Sequence, residues 1–190
     1  MSDLVAALAP VADVLERMGV PYLLGGSVAS SVHGVPRATM DVDLVAVFEP
    51  RHVAEFVAAL AEDYYVDAGQ IQRALDTRSS FNLIHHATVF KIDVFVSKGR
   101  AFDIEALARR QKEPLEDSSD ARRFPVATPE DVFLAKLEWF DRGGRVSDRQ
   151  WSDLLGIVRV QGDALDEEYL RRWADALGVA DLLRRALEER

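Results

Sequence analysis

The chain has 190 residues, 48% of them hydrophobic, which suits one compact domain or a domain with a helical annex and supplies enough apolar surface for a core. Lys and Arg number 23 against 32 Asp and Glu, a net charge of −9 that opposes broad, non-specific attraction to nucleic acid but leaves room for a local basic patch. There is no cysteine, which excludes a disulfide framework and thiolate zinc sites and agrees with a reducing, cytoplasmic setting; the acidic, amphipathic N-terminal stretch does not read as a secretory signal, and no apolar run is long enough to span a membrane.

Taken in chain order, Leu4, Ala7, Leu8, Val11, Val14, Leu15 and Met18 fall at helical spacing and end at Gly19. "VPYLL" reads as a short strand running into Gly25 and Gly26, with a short helix from Ser27 to His33 stopped by Gly34. "DVDLVAVF" is a second strand, Pro50 opens a helix through "RHVAEFVAALAED", "YYVDA" is a third short strand, and "GQIQRALDT" is a helix or lid. "SFNLIHH" and "TVFKIDVFV" pair as a hairpin with His86 and Ala87 near the turn. "FDIEALARR" is helical, and residues 111–128, which hold Pro114 and Pro125, contain one or two short strands and read as the exit from the sheet.

Beyond this point the pattern is helical. Thr128, Pro129 and Asp131 suit an N-cap, a first-turn proline and an acid facing the helix dipole at the start of "PEDVFLAKLEWFDR". Ser147 caps a helix with the stripe Trp151, Leu154, Leu155 and Val158; a further stripe, Leu170, Trp173, Ala174 and Leu177, ends at Gly178, and a last amphipathic helix starts at Val179. These readings describe a chain that is α+β or α/β over residues 1–127 and helical over 128–190; the α+β reading, with a mixed sheet, follows from the resemblance given below.

Three carboxylates stand out. Asp41 and Asp43 are two apart in a strand, so they share a face, about 6.6 Å apart at their Cα atoms. Such a pair can ligate a hard cation, or it can be an exposed strand end facing water. Asp93 sits in the centre of a strongly apolar strand, where a charge is costly unless it is paired or metal-bound; Lys91, on the same face, is the structural partner. If the two strands are neighbours, Asp93 joins the pair as a third oxygen donor suited to magnesium.

Gly25 and Gly26 permit close approach of backbone amides to phosphate oxygens, and Ser27 adds a hydroxyl at a helix N-terminus. Arg37 either bridges an acid or contacts a nucleotide phosphate, and Thr39 lies beside it, just ahead of Asp41. His85 and His86 point to opposite faces, and His33 and His52 have no second ligand at zinc spacing. Trp139, Trp151 and Trp173 read as core or interface residues, and the short basic clusters, such as Arg109 with Arg110 and Arg142 with Arg145 and Arg149, read first as solvated surface.

"GGS" on a strand-to-helix turn, "DVD" on the next strand and the later "KIDVFV" acid together resemble the DNA polymerase beta nucleotidyltransferase superfamily, over about Tyr22 to Val96. "RATMDVDL" most resembles the branch that holds the abortive-infection type IV toxin nucleotidyltransferases. The resemblance implies a mixed sheet backed by helices and transfer of a nucleoside monophosphate from a nucleoside triphosphate. It implies magnesium held by Asp41 and Asp43, with Asp93 assisting the metal or deprotonating the acceptor hydroxyl. Phosphates would be contacted by Gly26 and Ser27, with Gly25, Arg37 and Thr39 completing the nucleotide site. Lys136 is the further phosphate-binding candidate. Where that branch often has two acids three apart on a later helix, this chain has Gln150 and Asp153, so Asp153 reads as a solvated helix residue. The acceptor implied by the branch is the 3′ end of transfer RNA, with a cognate antitoxin as partner; a protein hydroxyl or an aminoglycoside or lincosamide antibiotic is the alternative acceptor, and a non-catalytic nucleotide-binding or partner-binding protein is the alternative function.

Overall fold

The computed structural model describes residues 2–189. Their elements run α1 (Asp3–Arg17), β1 (Tyr22–Leu24), α2 (Gly26–His33), β2 (Asp41–Ala46), α3 (Val53–Leu60), β3 (Tyr64–Tyr65), α4 (Ala68–Thr77), β4 (Ser80–His85) and β5 (Lys91–Val96). They continue with α5 (Ala101–Arg109), β6 (Gln111–Pro114), β7 (Arg123–Val126), α6 (Pro129–Arg142), α7 (Asp148–Gln161), α8 (Glu167–Leu177) and α9 (Ala180–Glu188). The fold is α+β, a mixed seven-stranded sheet among the described residues with the order β3-β4-β5-β2-β1-β7-β6.

The centre of the sheet is the parallel pair β2 and β5, in which Asp43 stands opposite Asp93 and Asp41 opposite Lys91. Both strands alternate strictly between buried and half-buried residues. Val42, Leu44 and Ala46 and their neighbours Ile92, Val94 and Val96 enter the apolar core, while the acids occupy the opposite face. A single buried cluster runs from Val5 of α1 to Ala186 of α9, so the C-terminal helices and the sheet share their apolar packing.

Several sequence expectations are refined. The strand over "YYVDA" is only Tyr64–Tyr65, because Asp67 turns out to cap α4, accepting the Gln70 amide at 2.6 Å. The helix opened by Pro50 begins as a 3-10 turn, Pro50–His52, in which the Glu49 amide donates to His52 Nδ1, before α3 follows. Residues 111–128 do not leave the sheet: β7 pairs in parallel with β1 through Leu24 and Val126, and β6 forms the edge. The hairpin of β4 and β5 and the caps Thr128 and Ser147 stand as expected. Asp131 faces no solvent: it is 2% exposed, accepts bonds from Tyr169 and Thr128 and is engaged by Arg109, tying α8 to the start of α6. Desolvation pushes its carboxyl above the usual range despite these bonds.

The placement of α7 matters most for the site. It lies against α2 at a contact where two glycines meet backbone. A Cβ on Gly156 would come within 3.3 Å of the Val35 nitrogen, and a Cβ on Gly34 would lie 2.9 Å from both the Ile157 nitrogen and the Ser30 carbonyl oxygen. Among the described residues no helix is long and apolar enough to cross a membrane. Because backbone cannot yield as a side-chain tip can, Gly34→Ala is expected to destabilise the fold by about 1–3 kcal/mol. Chemical denaturation of the purified variant measures this, and an unchanged midpoint would refute the close α2–α7 contact.

Candidate nucleotide site

Gly25 and Gly26 carry the chain from β1 into α2 directly over β2. The Gly25 amide donates to the Asp43 carbonyl at 2.9 Å, and the Ser27 amide donates to the Asp43 carboxylate. Gly26 has φ +54°, and a Cβ there would fall 1.7 Å from Asp43 Oδ2. Only glycine allows that approach, both for its left-handed backbone and for the missing atom. "GGS" and "DVD" are therefore two halves of one contact.

Asp43 is the electrostatic centre. Burial raises its pKa above the ordinary 3.8, and the charges of Asp41 and Asp93 raise it further, against the opposing pull of the Ser27 amide and Lys136. Asp41 accepts a bond from the Thr39 hydroxyl, and Asp93 is paired with Lys91, Nζ to Oδ2 2.7 Å, the structural partner foreseen for it.

Facing the acids are Arg37 and Lys136, the two cations singled out in the sequence, joined by a partner that the sequence does not reveal. Arg37 donates to Asp153 in bidentate fashion, Nε to Oδ1 2.8 Å and Nη2 to Oδ2 3.0 Å, and Nη2 also donates to the Ser27 hydroxyl. Lys136 Nζ donates to the same Asp153 Oδ2 at 2.8 Å. The Asp153 side chain is 9% exposed, which overturns its reading as a solvated helix residue. Burial opposes its ionisation, but the bonds from Arg37 and Lys136 prevail and hold its carboxyl below the usual range. Lys136 is itself buried, so loss of Asp153 would strand a cation, a change that costs about 3–5 kcal/mol in buried pairs. Asp153 thus links Lys136 to Arg37, which in turn reaches the Ser27 hydroxyl. The only sequence hint was its place three residues after Gln150; its partners are 116 and 17 positions away.

A cleft of about 740 Å³ opens over this arrangement. Gly25, Gly26, Ser27, Arg37, Asp41, Asp43, Lys136 and Asp153 line it, whereas Thr39 and Asp93 lie beside the lining, Thr39 bonded to Asp41 and Asp93 opposite Asp43. The cleft continues past Val45 and Phe95 to Trp139, which is half-exposed and so, of the core-or-interface expectation, is not a core residue. Trp151 is buried, and Trp173 packs against Phe102 and Tyr169. Arg109 and Arg145, read as solvated, are in ion pairs with Asp131 and Glu130 and with Asp141 and Asp181.

Among the described residues, no three His, Asp or Glu side chains are grouped as a ready-made metal site. The donors nevertheless fit a hard divalent cation: three carboxylates on one face, no soft ligand, and an Asp43 whose ionisation is opposed by its two acidic neighbours.

The architecture is that of nucleotidyltransferase-like proteins. The antibiotic-resistance factor ANT(2'')-Ia, solved in complex with adenylyl-2''-tobramycin, is 15% identical with a TM-score of 0.57 over 93% of this chain and 97% of that one. A solution structure of the same factor gives a TM-score of 0.53 at 16% identity over 98% and 95% of the two chains. An antigenic nucleotidyltransferase-like protein from Paracoccidioides brasiliensis gives 0.56 at 16% identity over 98% and 93%. No family model and no curated protein matches the chain.

The raised Asp43 carboxyl has a consequence for stability in metal-free protein. The native state holds this proton more tightly than the unfolded chain, so stability falls as pH rises from near the unfolded value of 3.8 through the raised native one. Asp43→Asn removes that loss. With chelator present, the variant is expected to melt above the wild type at pH 8, with the gap narrowing toward pH 3. Thermal unfolding across that range is the measurement, and a wild type that is the more stable at pH 8 contradicts the electrostatic account.

Proposed function

We propose that the protein is a magnesium-dependent nucleotidyltransferase that moves a nucleoside monophosphate from a nucleoside triphosphate to an acceptor hydroxyl. The observation that carries this reading is the meeting of opposite chemistries around Asp43: a cluster of carboxylates on the sheet and, on the same cleft, Ser27, Arg37 and Lys136. One side suits cations and the other phosphates, which is what a metal-bound triphosphate requires. The likeness in fold to nucleotidyltransferases supports it.

In this reading Asp41, Asp43 and Asp93 hold magnesium, which supplies charge neutralisation for the triphosphate and for the oxygens that attack and leave. Arg37, Lys136 and the Ser27 hydroxyl take the phosphates, exchanging part of their bonding to Asp153 for bonding to the ligand. Asp153 keeps both cations aimed at the turn before a ligand arrives, so little reorganisation remains at the moment of reaction. The acceptor hydroxyl attacks the α-phosphorus, the bond to the bridging oxygen breaks, pyrophosphate departs, and the hydroxyl proton passes to Asp93 where that carboxylate serves as base instead of assisting the metal.

The cleft lining carries seven Arg or Lys side chains against six carboxylates, in a chain whose net charge is −9. The cleft therefore carries cationic groups that could meet an anionic acceptor such as RNA despite the chain's negative net charge. Transfer RNA as that acceptor and a neutralising antitoxin as partner rest on the sequence resemblance alone. An antibiotic acceptor rests on the likeness to ANT(2'')-Ia. A second reading, a nucleotide-binding protein without transfer, is favoured by the local partners of Asp41 and Asp93.

Labelled triphosphates with magnesium, offered in turn with RNA, protein extract and aminoglycosides, test the proposal. Asp43→Ala is expected to lower transfer by about 10³-fold or more while circular dichroism stays native. Full activity in that variant sinks the assignment. Magnesium-dependent binding by calorimetry without transfer to any acceptor supports the second reading.

A further inference from the structure

We infer that Trp139 and Phe95 form a stacking shelf for a planar nitrogenous ring, next to the phosphate end of the cleft. Two tracks lead to it from the charged chemistry. Along β5, Phe95 is the next residue after Asp93 on the same face, and Val45 follows Asp43 in the same way on β2. Along α6, Trp139 follows Lys136 by three residues, one turn further on the face that lines the cleft. Strand and helix thus both step from carboxylate and ammonium groups to aromatic surface, and Ala135, small and also in the lining, leaves room between them.

The two rings meet edge to face, centroids 5.8 Å apart at 63°, and Trp139 is 50% exposed. The contact with Phe95 holds the indole in place, and its exposure leaves ring surface in the cleft. The Arg142 guanidinium lies over one face of the indole, 5.9 Å from its centroid, and is itself held by Glu138, so the stacking surface is the other face. Lys98 and Arg149 line the same cleft, are exposed and make no ion pair among the described residues. An aromatic platform one step from phosphate-binding groups, in a cleft that also carries unpaired cations, matches a ring joined to phosphate, which is the chemistry of a nucleotide unit. The ring can belong to the triphosphate or to an acceptor that shares the cleft. In naming nucleotide chemistry the inference rests on the function proposed above, but it is tested by binding alone.

Trp151 and Trp173 lie outside the cleft lining, so the emission lost in Trp139→Phe reports this position. With magnesium present, the protein is titrated with ATP, with tripolyphosphate and with a short single-stranded RNA oligonucleotide, following tryptophan emission beside calorimetry. A ring-bearing probe is expected to quench the wild type and leave Trp139→Phe silent, while tripolyphosphate binds without quenching. Trp139→Ala should bind that probe about tenfold more weakly, with Trp139→Phe largely restoring affinity. Quenching by ATP assigns the ring to the triphosphate, and quenching by the oligonucleotide alone assigns it to the acceptor. ATP binding with silent Trp139 emission for every probe, and unchanged affinity in Trp139→Ala, overturns the shelf and leaves the proposed function standing. No nucleotide binding at all overturns both.

Discussion

The arrangement depends on one constraint: Asp43 is packed under Gly26 and against the same face as Asp41 and Asp93, so three like charges share the centre of a sheet. Such a grouping is unfavourable by itself, as the raised Asp43 carboxyl shows. A fold that retains it must either supply positive charge or receive it. Lys91 supplies some, to Asp93. The rest of the cleft brings cationic groups close, Lys136 among them, while Asp43 keeps a raised carboxyl.

That second shell of charge comes from the helical half. Gly34 and Gly156 let α7 lie close enough to α2 for Asp153 to reach Arg37, and α6 extends Lys136 to the same carboxylate. The Arg37–Asp153–Lys136 link joins three elements that meet only through tertiary packing. It also explains how two cations can wait beside a buried acid cluster: their charge is balanced by an acid that is not part of the cluster.

Much of this was legible from residues in a row. The alternation of "DVDLVA" and "KIDVFV" placed Asp41, Asp43 and Asp93 on polar faces, and the caps at Thr128 and Ser147 marked α6 and α7. Asp153 was not legible, because nothing local distinguishes a helix aspartate in water from one clamped by an arginine 116 positions away. Trp139 was legible only in part: helical spacing puts it on an apolar stripe, but whether it is covered depends on Phe95 and on the cleft, and it is half-exposed. Residues 111–128 looked like an exit because two prolines obscured strand pairing, and the partner of β7 is a strand a hundred residues earlier.

The sequence by itself determined the local elements, the face each acid occupies on its own strand and the need for glycine in the turn after β1, since these follow from backbone sterics and side-chain periodicity over a few residues. Tertiary structure alone decided that β2 and β5 are parallel neighbours with Asp43 opposite Asp93, that Gly26 rests on Asp43, and that Asp153 joins Arg37 to Lys136. Those contacts arise from sheet order and helix packing, where burial of the shared apolar core selects one arrangement among many with the same local propensities.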